Sequence, residues 1–371
     1  MGLLRILLAV SVFCAHAGPI WHLPWLNGDL AVEVFFVISG FYMQLILTTK
    51  YTRKRLGPGW VWRFYQARYL RLFPAYAAGC ILALGIALIW REQPPIPIWT
   101  YVKGMANTPG NVLFKVFLGL TNVSMIGQDL IMFLVSRQGQ VHWSSNFGHS
   151  DQLLFRGLLI PQAWSLGVEL SFYVVAPLVL CWRSRWLAPL AICALGAKLL
   201  VIHMFDLGDP WTYRFFPFEL GNFLLGALAY RDRERLERLI PQRFGAWCAY
   251  LLAIVLTTMA RSGLWATFLY PLIVACILPS VFRATGTWKW DRMMGELSYP
   301  FYIFHFFVLA LVWPIQPRLW PHLPAAWSSL ALTFLLSGGA LLLEEKYLEP
   351  WRSKFGRQSP APIRSKVQRA S

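Results

Sequence analysis

Charge is what this chain has least of. Asp, Glu, Lys and Arg make up 14% of its 371 residues against 57% hydrophobic, and the mean hydropathy is +0.49. A soluble domain carries about a quarter charged residues, so this composition excludes one and points to a polytopic membrane protein. Acid is scarcer than base, with 17 Asp and Glu against 34 Lys and Arg. Cysteine is sparse too. The six (Cys14, Cys80, Cys181, Cys193, Cys248, Cys276) include no C-x-x-C pair. That leaves no disulfide framework or zinc site, and they read as small apolar packing residues. No internal repeat is evident, so the usual sign of a secondary transporter is missing.

What is present is a series of long apolar runs. Ten are expected as membrane spans, at 3–21, 29–49, 73–90, 162–182, 186–204, 213–230, 243–260, 264–282, 296–315 and 325–344. With the N-terminus in the cytosol, the cytosolic segments hold 24 Lys and Arg and the outer ones 7. That asymmetry sets orientation, so the net charge of +17 is topological and no nucleic-acid partner is expected. The expected fold class is all-α, a transmembrane helical bundle of about ten spans with both termini cytosolic. Residues 1–351 form one transmembrane domain, and 352–371 a basic, disordered tail against the anionic inner leaflet. Ala15-His16-Ala17 resembles a signal-peptide cleavage site, but cutting there would invert every later loop, so the first span is expected to stay. The long outer segment 91–161 contains a moderately apolar piece, 111–135, interrupted by Lys115, Asn122 and Asp129. It is expected to be re-entrant or interfacial, because one crossing there would spoil the charge asymmetry. His142, His149 and Asp151 in that segment match no metal-site spacing, and no metal is expected.

Ionisable residues inside spans are costly and by default face a protein interior or a wet cavity. Arg5 and His16 lie eleven residues apart, which puts them on one helix face about 16 Å apart along the axis. The plainer reading is that Arg5 snorkels to the headgroups and His16 bonds a neighbouring helix. Glu33 sits one turn inside the second span, and Ser39-Gly40 forms a small patch where another backbone can approach. Glu33 could equally reach the interface, and Ser39 bond its own helix. Arg68 and Arg71, at i and i+3, share a face among Lys50, Arg53, Lys54 and Arg55. Guanidinium forks suit a polyphosphate, although ordinary positive-inside charge would look the same. Trp164 stands at a belt position with Glu169 below it, and His305 lies near mid-membrane with Tyr302 one turn earlier. Lys198 and Arg214 are candidate partners for Glu169 and Glu219. Two histidines and two carboxylates in the membrane exceed what gluing helices needs.

At these residues the chain resembles the membrane-bound acyltransferase family 3, which O-acylates sugars and related hydroxyls with acyl-CoA. The resemblance covers nearly the whole chain and rests on five motifs in order. They are Arg5 and His16 in the first helix; Val32 to Phe41 with Glu33 at the acidic place; Arg68, Arg71 and Pro74; Trp164 to Tyr173; and Ser298 to His305. Ala31 departs from the pattern, where Gly is commoner. Many members carry a further hydrolase-like domain; none is expected here, so transfer would occur within the bundle. The resemblance implies a multi-pass protein of a bacterial inner membrane. Its donor would be acyl-CoA, foremost acetyl-CoA, held by Arg5, Arg68 and Arg71, and its acceptor a carbohydrate or glycolipid hydroxyl. His16 would act as general base or transient acyl carrier, with Glu33 or Glu169 orienting its ring, while Ser39, Trp164, Tyr302 and His305 contact substrate. The alternative is a proton-coupled transporter or flippase that relays protons through the same histidines and carboxylates without acyl transfer.

Overall fold

The computed structural model describes residues 1–20, 25–89, 112–138, 140–151, 153–239, 247–248, 251, 264–319, 322 and 324–348. Apolar sequence becomes helix almost throughout, because hydrocarbon satisfies no backbone polar group and only intra-segment bonds can. The longer helices are α1 (Gly2–Ala17), α2 (Gly28–Thr49), α3 (Trp60–Ile89), α4 (Val112–Ser124), α5 (Trp164–Val179), α6 (Ser184–Phe205), α7 (Phe216–Arg231), α8 (Leu264–Thr285), α9 (Lys289–Leu319) and α10 (Ala325–Leu343). Among the described residues, seven helical stretches are long and apolar enough to cross a bilayer. Helices stand at nine of the ten expected spans, though α1 and α7 have only 16 residues each. The tenth, 243–260, falls almost entirely outside the described residues, as do 90–111 and the tail 349–371.

Two boundaries differ from expectation for local reasons. The third helix starts at Trp60 rather than near Phe73, so the arginine-rich stretch is its first half, and Pro74 is carried inside it. The first helix ends early. Gly18, at φ +87°, donates its N–H back to the Cys14 carbonyl, which a side chain would disfavour. Sixteen residues give about 24 Å, short of a hydrocarbon core of about 30 Å, and His16 lies exposed in the last turn. The segment expected to be re-entrant forms α4, at 13 residues too short to span. It runs along α3, where Tyr76 Oη donates to the Asn122 carbonyl at 2.7 Å. The chain then turns back through Met125 and Gly127, both at positive φ. A two-stranded hairpin follows, β1 (Leu134–Arg137) and β2 (Gln140–Trp143), with Trp143 stacked on Phe133 beside Trp211.

A close backbone seam joins α2 to α7. A Cβ on Gly40 would fall on the Phe223 carbonyl, and one on Gly226 on the Val37 carbonyl, so the backbones touch directly. This is the close approach expected at Ser39-Gly40. Phe172 and Phe223 stack beside it at 4.1 Å. Next to the seam lies a fully buried ionic cluster. Lys198 Nζ on α6 donates to Glu33 Oε1 on α2 at 2.6 Å and to Glu219 Oε1 on α7 at 2.7 Å, and Asn222 completes Glu219 at 2.8 Å. From there α1 packs on α2, α9 on α1 and α10 on α9, with α3 and α5 closing the other side.

The end of the bundle that carries Lys50, Arg53, Lys54, Arg55 and Arg292 is its basic end, expected in the cytosol. Reporter fusions at Asp209 and Gln316 should therefore both read as periplasmic. A cytosolic readout at either would overturn the ten-span arrangement.

Candidate active site

A cavity of about 480 Å³ opens at the basic end between α1, α2, α3, α5, α8 and α9. Three arginines reach it from two helices. Arg5 comes from the first turn of α1, and Arg68 and Arg71 from one face of α3, where i and i+3 stand together. Among the described residues none of the three forms an ion pair. Nε of Arg68 is buried without a hydrogen-bond acceptor, its guanidinium 5.9 Å from the centre of the Tyr51 ring. Lys50 and Arg292 add positive charge to the lining. Unpaired, partly buried cations that converge on one space are the chemistry of a polyanion site.

The walls above the arginines turn apolar at Val32, Phe35 and Phe36, with one polar strip. In that strip Glu169 Oε1 accepts from Ser39 Oγ at 2.8 Å and from Tyr173 Oη at 2.5 Å. Tyr302 closes the top. Its hydroxyl donates to the Gln162 carbonyl at 2.9 Å and shares a hydrogen bond with Ser165 Oγ at 2.8 Å. Gln162 is itself pinned to α9, Nε2 donating to the Ile303 carbonyl at 2.8 Å. The ceiling is thus a knot between the start of α5 and the middle of α9.

Past that ceiling two imidazoles follow. His305, fully buried, lies one turn beyond Tyr302, ring centroids 5.7 Å apart, and the His16 ring lies 5.2 Å further. His16 is exposed, in the last turn of α1, and also touches Phe306 edge-on. Each ring is fixed by a backbone carbonyl. Nδ1 of His16 is 2.9 Å from the Val12 carbonyl, and Nδ1 of His305 is 2.6 Å from that of Tyr302. A carbonyl only accepts, so each Nδ1 carries the hydrogen and each Nε2 presents a bare lone pair. An exposed, pre-oriented Nε2 is what a general base requires.

The sequence-derived candidates therefore separate into groups. Arg5, Arg68, Arg71, Ser39, Glu169 and Tyr302 share the cavity, and His305 and His16 continue the line past its ceiling. Glu33 and Trp164 do not join them. The Glu33 carboxylate is engaged by Lys198, and Glu169 is bonded to Ser39 and Tyr173, so neither supplies the expected hydrogen bond to the His16 ring. Trp164 is buried under the Arg214 guanidinium, 4.3 Å from its ring centre, instead of facing the cavity. Arg214 pairs with Asp209 at 2.5 and 2.8 Å and not with either glutamate, whereas Lys198 does meet Glu219. Gln162 and Ser165, which hold Tyr302, were not singled out by the sequence. Among the described residues no group of three His, Cys, Asp or Glu side chains could hold a metal, and His142 and His149 are exposed.

A family model described as an acyltransferase domain matches residues 1–343. The chain belongs to that family. It is an acyltransferase and an integral membrane protein. Nodulation protein 10 of Rhizobium leguminosarum bv. viciae is 26% identical over 333 residues, covering 83% of this acyltransferase and 82% of the relative. A putative peptidoglycan O-acetyltransferase of Bacillus subtilis (strain 168) is 23% identical over 345 residues, or 84% of this chain and 49% of the relative. The peptidoglycan O-acetyltransferase of Listeria monocytogenes serovar 1/2a is 24% identical over 363 residues, or 90% and 53%. This acyltransferase thus spans about half the length of those two relatives. No solved structure is significantly similar.

Proposed function

We propose that the protein moves an acyl group, foremost acetyl, from acyl-CoA on the cytosolic side to a hydroxyl of a carbohydrate or cell-surface glycolipid on the far side of a bacterial inner membrane. One observation carries this reading. Three arginines without ion-pair partners among the described residues stand at the open end of a cavity, and Tyr302, His305 and His16 follow one another past its closed end. The phosphates of the donor would lie on Arg5, Arg68 and Arg71, with the pantetheine arm along Val32, Phe35 and Phe36. Turning the Tyr302 ring away from Ser165 and Gln162, together with a shift of the His305 ring behind it, would join the thioester to the space at His16. His16 Nε2 then takes the proton of the acceptor hydroxyl as that oxygen attacks the thioester carbonyl. The C–S bond breaks, its electron pair leaves on sulfur, and the thiolate takes up a proton. In the two-step version Nε2 itself carries the acyl group before the hydroxyl attacks. Glycan O-acetyltransferases among the relatives support an acceptor of that class.

Membranes supplied with radiolabelled acetyl-CoA should acquire alkali-labile label in a glycan fraction, dependent on the protein. Gradient-driven glycan movement with no label transferred would favour the transporter. On the donor side, Arg68→Ala and Arg71→Ala should each raise the KM for acyl-CoA about ten- to a hundredfold with kcat nearly kept, since charge-assisted contacts to phosphate contribute ground-state binding. A normal KM in protein that merely fails to accumulate would make both residues topological determinants only.

A further inference from the structure

The ceiling of the cavity is held shut by bonds that can be given up without stranding a buried carbonyl. On α9 the cavity lining runs from Asp291 at the mouth to Tyr302 at the top, eleven residues or about 16 Å of helix. A phosphopantetheine arm that enters thioester first and extends along this wall uses up that length. Its thioester then arrives against the Tyr302 ring. The ring is held on two sides. Its hydroxyl donates to the Gln162 carbonyl at 2.9 Å and accepts from Ser165 Oγ at 2.8 Å, while Phe35 meets it edge-on, centroids 6.3 Å apart. Behind it stands the fully buried His305. Ser165 Oγ also lies 3.3 Å from the Gln162 carbonyl, so when the tyrosine leaves, the serine donates there instead. The buried carbonyl keeps a partner, and opening costs only the two bonds of the phenol.

We propose that the knot of Tyr302, Ser165 and Gln162 selects the donor by the length of its acyl group, and that it favours acetyl. An acetyl thioester lies beneath the closed ring, and the knot opens only in passing, during transfer. A longer chain has nowhere to lie until Tyr302 and the His305 ring behind it have moved. The cost of opening then falls on binding, before any chemistry. Discrimination between donors therefore shows in affinity and in the donor KM more than in kcat. Ser165 and Gln162 act on this choice through Tyr302, which alone of the three meets the acyl group. The inference rests on the cavity holding acyl-CoA, and its test needs no turnover.

Coenzyme A, acetyl-CoA, butyryl-CoA and octanoyl-CoA should be titrated into the full-length protein in detergent by calorimetry, each thioester read against coenzyme A in the same variant. Wild type should bind acetyl-CoA about tenfold tighter than octanoyl-CoA or more, the worth of two ordinary hydrogen bonds, with butyryl-CoA between them. Tyr302→Phe keeps the ring, loses both bonds and leaves the Gln162 carbonyl to Ser165, so it should fold and narrow that gap several-fold. Ser165→Ala removes one of the two bonds and should fall between Tyr302→Phe and wild type. Tyr302→Ala, which takes the ceiling away, should abolish the gap. Equal affinities along the series in wild type, or a gap that both Tyr302 variants leave in place, would overturn the proposal. The expected series in a protein that labels no glycan would keep the acyl selection and remove the transfer reading. Binding of none of the four compounds would remove the donor site, and this inference with it.

Discussion

Purified His16→Ala should elute as a monodisperse, inserted protein and transfer acetyl groups about 10²–10⁴ times more slowly than wild type, the loss typical of removing a positioned general base. Two features separate this chemical effect from a structural one. The side chain is exposed and closes a helix end, so truncation to a methyl group opens no core cavity. Its Nδ1–H bonds only the carbonyl of its own preceding turn, so no second helix loses an anchor. Binding of acyl-CoA should be unchanged, because the arginines stand at the other end of the cavity. Wild-type turnover in the variant would remove His16 from the chemistry altogether.

Lys198→Met should fail for the opposite reason and should cost the fold itself. The ammonium holds Glu33 and Glu219 on two different helices at 2.6 and 2.7 Å, and none of the three side chains sees solvent. Removing the cation leaves carboxylates facing each other without compensation, a loss of about 3–5 kcal/mol. The expected result is a sharp drop in extractable, monodisperse protein and in its melting temperature. Adding Glu33→Gln and Glu219→Gln to the same chain should recover much of that loss by removing the stranded charge. An unchanged melting temperature for Lys198→Met alone would show that the cluster is dispensable to the fold. Glu33 thus belongs to the architecture of α2, α6 and α7.

The helical character of the chain and the shared face of Arg68 and Arg71 were legible in the sequence because both are local signals. Long apolar runs need no partner to be recognised, and the three-residue step from Arg68 to Arg71 fixes a shared face whatever lies opposite. What lies opposite is where reading along the chain stopped. Lys198 meets Glu33 across 165 residues, and Arg214 turns to Asp209 five residues away instead of to a membrane glutamate. Periodicity gives each helix its face and says nothing of which neighbour that face meets. The Tyr302 knot was hidden for another reason. Gln162 sits in a single 3₁₀ turn opened by Pro161, too short to show any period. The end of the first helix was set by a single residue, Gly18, whose positive φ stops it at Ala17.

The carbonyl contacts at Gly40 and Gly226 also decide how this bundle can breathe. Where two backbones touch without side chains between them, neither helix can slide or roll without forcing main-chain atoms together. The second and seventh helices therefore behave as one strut, cross-braced by the lysine beside them. Any widening that lets a bulky molecule in or out must come from elements held through side chains, which have rotamers to exchange. α3 is tied to α9 by the Tyr299 hydroxyl on the Leu72 carbonyl and to α5 by Tyr65 on the Val174 carbonyl. Those tyrosine hinges are where the molecule has give.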